Sequence, residues 1–148
     1  MRSLKGSVLA AVTVVLLLAV AAPVALATTW DIKKPLNIPA GKMTSGGKTF
    51  TVTNKSGATV GKVVKTKSGG WKVFRGSKQV AVAKANGSKK YPVNLYDMKG
   101  IRIGRCGLRD GAWSMVRFSG VLRIIVGVAP KDCPARAAMG AARILVWK

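Results

Sequence analysis

The side chains in this chain that could do chemistry are few in kind. Among 148 residues there is no histidine and no glutamate. There are four aspartates (Asp31, Asp97, Asp110 and Asp132), two cysteines (Cys106 and Cys133), and 26 lysines and arginines. General acid–base catalysis draws on histidine or on a carboxylate of shifted pKa, and Asp97, Asp110 and Asp132 all fall where aspartate ordinarily shapes a turn or caps a helix. Serines and lysines could form a nucleophilic pair, but no spacing singles one out. No G-x-x-x-x-G-K-[ST] phosphate loop occurs among the 17 glycines, and hairpin turns account for most of them. Two thiolates without histidine or glutamate fall short of zinc's four positions. These residues predict no catalytic site, no metal and no cofactor.

What the chain has in excess is positive charge, with a formal net charge of +22 at pH 7. A balance this one-sided favours anionic partners and says nothing about fold. Lysine dominates up to Lys99 and arginine from Ile101 onward. The densest cluster is Lys62, Lys65, Lys67, Lys72, Arg75, Lys78, Lys84, Lys89 and Lys90. A field of point-charge lysines suits diffuse attraction to polyanions better than bidentate readout. Those nine residues are the predicted polyanion-binding set. Few aromatics are free to stack bases, so sequence-specific nucleic-acid binding is not expected.

The first residues have the form of a secretory signal: Arg2 and Lys5, an apolar run from Val8 to Ala22, then Ala25-Leu26-Ala27 with small residues at a cleavage site. This predicts a signal peptide over residues 1–27, cut after Ala27, and a secreted, periplasmic or envelope location. The competing reading is an uncleaved N-terminal membrane anchor, because Val8 to Ala27 is long enough to span a bilayer. Export also favours oxidation, so Cys106 and Cys133 are expected to form a disulfide.

These residues need elements to position them. Phe50, Trp71, Tyr91 and Trp113 open successive units at spacings of 21, 20 and 22, each followed two positions on by an apolar residue: Val52, Val73, Val93 and Met115. Period-two placement puts each pair on one face of a strand, so the four rings are expected in the core. Each unit turns through polar residues (Lys55-Ser56-Gly57, Gly76-Ser77-Lys78, Asp97 to Gly100, Ser119-Gly120) and returns through a Val/Ile-rich run. Eight strands follow. Asn54 and Asn86 begin glycosylation-type triplets that read as further turns.

The fold expected is all-β with minor α: an up-and-down meander of four repeated hairpins forming a curled sheet or barrel, plus a short helix and a final strand. Residues 28–47 read as an irregular lead-in with one short strand near Trp30 to Lys33, and 48–148 as a single β-domain. The fourth hairpin is apolar on both faces, through Val116, Phe118, Leu122, Ile124, Ile125 and Val126, and is expected to be the most buried. A helix over about 134–142, capped by Asp132, should pack its small residues on the sheet. Arg143 to Trp147 reads as the last strand.

The third unit, Y-x-V-x-x-x-D-x-x-G-x-x-I-G from Tyr91 to Gly104, resembles the hairpins of the LURP-one and phospholipid-scramblase type of barrel, a fold similar to the tubby C-terminal domain. The resemblance implies a closed β-barrel and, in some relatives, contact with lipid headgroups. It brings no functional residue over.

The function expected is therefore that of an exported, non-enzymatic, basic β-domain. It would associate electrostatically with anionic envelope or extracellular polymers, lipid headgroups among them. The alternative is an envelope interaction protein that binds a protein partner through a sheet edge.

Overall fold

Ten antiparallel strands follow one another around a barrel, each hydrogen-bonded to the next, and the last returns to the first. The computed structural model describes residues 27–147; the signal peptide expected over 1–27 therefore lies, but for Ala27, outside the described residues. In chain order the strands are β1 (Thr29–Lys34), β2 (Ile38–Gly46), β3 (Thr49–Asn54), β4 (Thr59–Val64), β5 (Gly70–Arg75), β6 (Lys78–Ala85), β7 (Val93–Tyr96), β8 (Arg102–Arg109), β9 (Ala112–Ser119) and β10 (Leu122–Pro130). A helix, α1 (Ala135–Leu145), follows.

The four predicted hairpins are β3–β4, β5–β6, β7–β8 and β9–β10, each antiparallel across its expected turn. In the third, the Asp97 carboxylate accepts from the Lys99 and Ile101 amides, both at 2.9 Å. Gly100 takes a φ of 81°, a left-handed conformation that glycine adopts without steric cost. Asn54 and Asn86 likewise use their side-chain oxygens to accept from the Ser56 and Ser88 amides, which makes both triplets turns. The lead-in is not irregular. It forms the fifth hairpin, β1–β2, whose cross-strand pairs run from Thr29 opposite Thr44 to Lys34 opposite Ile38. Pro39 is the second residue of β2, beside the register shift between Ile32 and Lys33, a position where its missing N–H is tolerated.

Eight strands enclose just enough space for their own side chains, and ten enclose more. Here α1 fills the barrel. Ala137, Ala138, Met139, Ala141 and Ala142 are wholly buried, and the helix touches every strand. A helix of small residues fits because both surfaces are trimmed. A Cβ on Gly140 would stand 2.5 Å from Val63 Cγ2, and one on Gly61 would stand 2.9 Å from Ile144 Cδ1. The closed barrel implied by the third hairpin's resemblance is present.

Three further expectations are corrected. Arg143 to Trp147 is not a strand, because a closed barrel has no free edge for it to pair with. Instead α1 runs on to Leu145, and tertiary context overrides the β-propensity of Ile144, Leu145 and Val146. Asp132 is not the helix cap: Pro134 stands there without a side-chain cap, and the Asp132 carboxylate accepts from the Trp30 indole N–H at 3.1 Å. The fourth hairpin is not the most buried, since Leu122 and Ile124 are exposed. Register sets Ile124 opposite Arg117 and Leu122 opposite Ser119, on the inward-turned face at the mouth of the barrel, where α1 ends and leaves them uncovered.

Candidate functional site: a basic outer wall

The barrel's alternation sorts the chain's chemistry into two layers. Phe50 and Trp71 are buried as expected and stack with ring centroids 5.3 Å apart, inside the end of the barrel where α1 begins. Trp113 is half-buried, and its indole N–H donates to the carbonyl oxygens of Lys131 at 3.0 Å and Cys133 at 2.7 Å. Tyr91 departs further. It precedes β7 and lies on the outer surface, where the Arg105 guanidinium sits 3.6 Å from its ring centroid.

Cys106 and Cys133 are free thiols, both buried, and the expected disulfide is not formed. Cys106 points inward from β8, opposite Val93 and Met115. Desolvation pushes its pKa from 9.0 to about 12, with Cys133 adding a smaller push. Cys133 is raised likewise to about 12, by burial first and by Asp132 second. The Trp113 indole already ties the helix approach to the barrel, so the junction holds without a covalent link. Buried thiols of raised pKa are poor nucleophiles.

All nine predicted polyanion-binding residues are exposed, but they are not one cluster. Lys62, Lys72 and Lys84 stand on the outer wall of β4, β5 and β6, with the Lys62 ammonium 5.2 Å from the Phe74 ring and the Lys84 ammonium 5.5 Å from the Tyr96 ring. Lys65 and Lys67 lie in the β4–β5 connection, and Lys89 and Lys90 in the β6–β7 connection, at the end where α1 begins. Lys65 lies over Trp71 at 5.1 Å. Lys78 begins β6 at the other end. Arg75 is employed elsewhere: its guanidinium donates to the carbonyl oxygens of Arg143, Ile144 and Trp147, closing the C-terminal end of α1. Cations there complement the negative end of the helix dipole. Arg143, on α1 itself, has its pKa lowered by burial and then by Arg75 and Arg117 nearby.

The arginine half of the chain, absent from the predicted set, builds the most directed part of the wall. A groove of about 380 Å³ on the outside of β8–β10 is lined by Lys90, Tyr91, Arg105, Arg109 and Arg123 among others, with no carboxylate in its lining. Arg105 lies against Tyr91, and Arg123 lies 4.1 Å from the Phe118 ring centroid. Ring contact covers one face of each guanidinium; Arg123 Nη1 donates to the Gly120 and Leu122 carbonyl oxygens, both at 3.0 Å, which leaves its other nitrogens and the Arg105 Nη groups for an anion. Arg105 Nε is buried with no hydrogen-bond partner.

Comparison with known protein families, with curated proteins and with solved structures finds no match for this chain. The geometry therefore carries the functional argument. Cross-strand register sets Lys84 beside Asn94 and Asn94 beside Arg105, so the lysine and arginine halves meet on one wall. Asn94 turns its amide to the Tyr96 hydroxyl at 3.3 Å and adds no charge between them. The signal that could have revealed the groove was the shift from lysine to arginine after Ile101, together with the period-two placement of Ser114, Val116 and Phe118 on one face of β9, opposite Arg105 and Arg123. Among the described residues no three His, Cys, Asp or Glu side chains gather to hold a metal.

Proposed function

We propose that the protein is an exported, non-enzymatic barrel that holds anionic envelope or extracellular polymers against its basic outer wall. The Lys84–Asn94–Arg105 row carries this reading, because it joins two basic stretches that are separate in sequence into one surface. Little neutralises that surface: among the described residues the one ion pair is Arg109 with Asp110, at 3.9 Å and largely exposed. Lysines supply diffuse attraction, and the ring-backed guanidiniums of Arg105 and Arg123 supply directed donors to phosphate, sulfate or carboxylate groups.

Parallel salt titrations of binding to heparin, teichoic acid and DNA test this. The reading requires affinity for all three that falls steeply as salt rises, as counterion release demands. Binding indifferent to salt, or confined to one of the three, would overturn it. The alternative, strand addition by a protein partner, finds less support. β1 is paired with both β2 and β10, the latter through Lys33 opposite Val128, so barrel closure runs through the edges that a partner strand would use.

A further inference from the structure

An antiparallel meander sends alternate connections to the same end. The β1–β2, β3–β4, β5–β6, β7–β8 and β9–β10 turns all emerge at the end where α1 finishes. This rim also carries six of the eight large exposed apolar side chains among the described residues: Leu36 and Ile38 on β1–β2, Met98 and Ile101 on β7–β8, Val121 and Leu122 on β9–β10. Around the barrel the order β2, β1, β10, β9, β8, β7 makes those three turns neighbours, forming one arc. The other two turns, through Lys55-Ser56-Gly57 and Gly76-Ser77-Lys78, are polar. Leu36 and Val121 are 93% and 92% exposed, so the fold gains nothing from their being apolar. Leu36 also sits at φ 63°, a left-handed conformation unusual for a bulky residue, and Asn37 follows at φ 59°. Such a backbone is kept where something beyond packing uses it.

Cations flank each apolar tip: Lys34 before Leu36, Lys99 after Met98, Arg102 after Ile101 and Arg123 after Leu122. The arc's one acid, Asp97, is occupied by the Lys99 and Ile101 amides. Greasy tips ringed by cations complement an anionic lipid surface, where apolar side chains enter the acyl boundary and Lys and Arg meet the headgroups. A second copy of the chain is disfavoured as the occupant, because two surfaces of a protein carrying +22 would repel.

We propose that this arc of the rim docks onto an anionic bilayer by inserting its apolar tips. It shares the anionic class of partner and the side chain of Arg123 with the basic wall, but its tips Leu36, Met98 and Val121 lie outside the groove, so the two can fail separately. The test uses residues 28–148, which contain every strand and the helix of the described residues, with vesicles of phosphatidylglycerol, vesicles of phosphatidylcholine, and heparin in parallel. Three proteins are compared: the native sequence, Leu36→Ser/Met98→Gln/Val121→Ser, and Lys62→Gln/Lys72→Gln/Lys84→Gln. Phosphatidylglycerol vesicles should bind the native sequence and leave phosphatidylcholine vesicles nearly bare. The tip variant should lose about tenfold or more in vesicle affinity and keep its heparin affinity; the wall variant should lose heparin affinity first. A Leu36→Trp variant should shift its emission to the blue on phosphatidylglycerol vesicles. Equal vesicle binding by the tip variant and the native sequence, no Leu36→Trp shift, or no vesicle binding beside intact heparin binding would overturn the rim proposal while leaving the wall reading standing.

Discussion

Arg75, the last residue of β5, donates through one guanidinium nitrogen to the carbonyl oxygen of Trp147 at 2.7 Å, and so fastens the barrel wall to the end of the helix it encloses. The same nitrogen reaches the Arg143 and Ile144 carbonyl oxygens at 2.8 and 3.2 Å. Three acceptors at a helix terminus converge on one cation, and the Trp147 carbonyl oxygen accepts from Arg143 as well, at 3.4 Å.

Arg75→Ala should therefore destabilise the protein by about 1.5–3 kcal/mol, the scale of a hydrogen bond to a charged group. Urea unfolding measures it. Arg75→Gln should cost nearly as much, whereas Lys78→Gln, on the same rim without such partners, should stay within about 0.5 kcal/mol. Equal small effects at both positions would mean that the helix end needs no clamp.

Gly140→Ala should destabilise by about 1–3 kcal/mol, since the added methyl would stand 2.5 Å from Val63 Cγ2 inside a filled barrel. The ordinary gain from placing alanine in a helix, about 1 kcal/mol, opposes this and should not prevail. Val63→Ala in the same chain should recover part of the loss, and a thermal melt of the double variant reads it. Additive losses would show that the two residues do not meet.

Native Cys106 and Cys133 should resist thiol reagents at pH 8 and react fully on unfolding, because burial pushes both to about 12. The unfolded chain ionises its thiols near 9.0 while the folded chain keeps them protonated. Their contribution to stability is therefore complete below about pH 9 and is lost as pH rises toward 12, at up to about 1.4 kcal/mol per pH unit for each thiol. Comparing urea midpoints from pH 8 to 11 with those of Cys106→Ala/Cys133→Ala isolates the effect from lysine titration. A native curve no steeper than that of the variant would refute it.

Arg105→Gln and Arg123→Gln should weaken heparin binding more than Lys62→Gln and Lys72→Gln, although each removes one charge. The reason is that ring-backed guanidiniums present directed donors where exposed ammonium groups present only charge. All four should lower the salt slope by about one contact each. Titration at two salt concentrations separates the effects: a common slope change with unequal affinities supports the groove, and equal affinities would reduce it to part of a uniform field.

The four hairpins were legible because each is local. A turn former such as Gly100 and alternation such as Phe50, Val52 and Trp71, Val73 act within a few residues, and no distant contact is needed to read them. The surplus of cations was legible for the same reason. The set of eight lysines and Arg75 was read as one cluster because its members are near in sequence. The barrel instead splits them between its wall and its two ends and assigns Arg75 to the helix.

What the amino-acid order alone determined is the repeating strand–turn–strand unit, the run of small residues in α1 and the sign of the surface. Only the tertiary structure decided the rest. Closure removed the edge that would have made Arg143 to Trp147 a strand, and the helix took the interior that the fourth hairpin's apolar face would have filled. The meander brought Leu36, Met98 and Val121 to one rim and Lys84 and Arg105 to one wall. The physical reason is sequence separation: side-chain parity is settled between neighbours, whereas a shared wall or rim depends on the number of strands that must pair before the sheet meets itself.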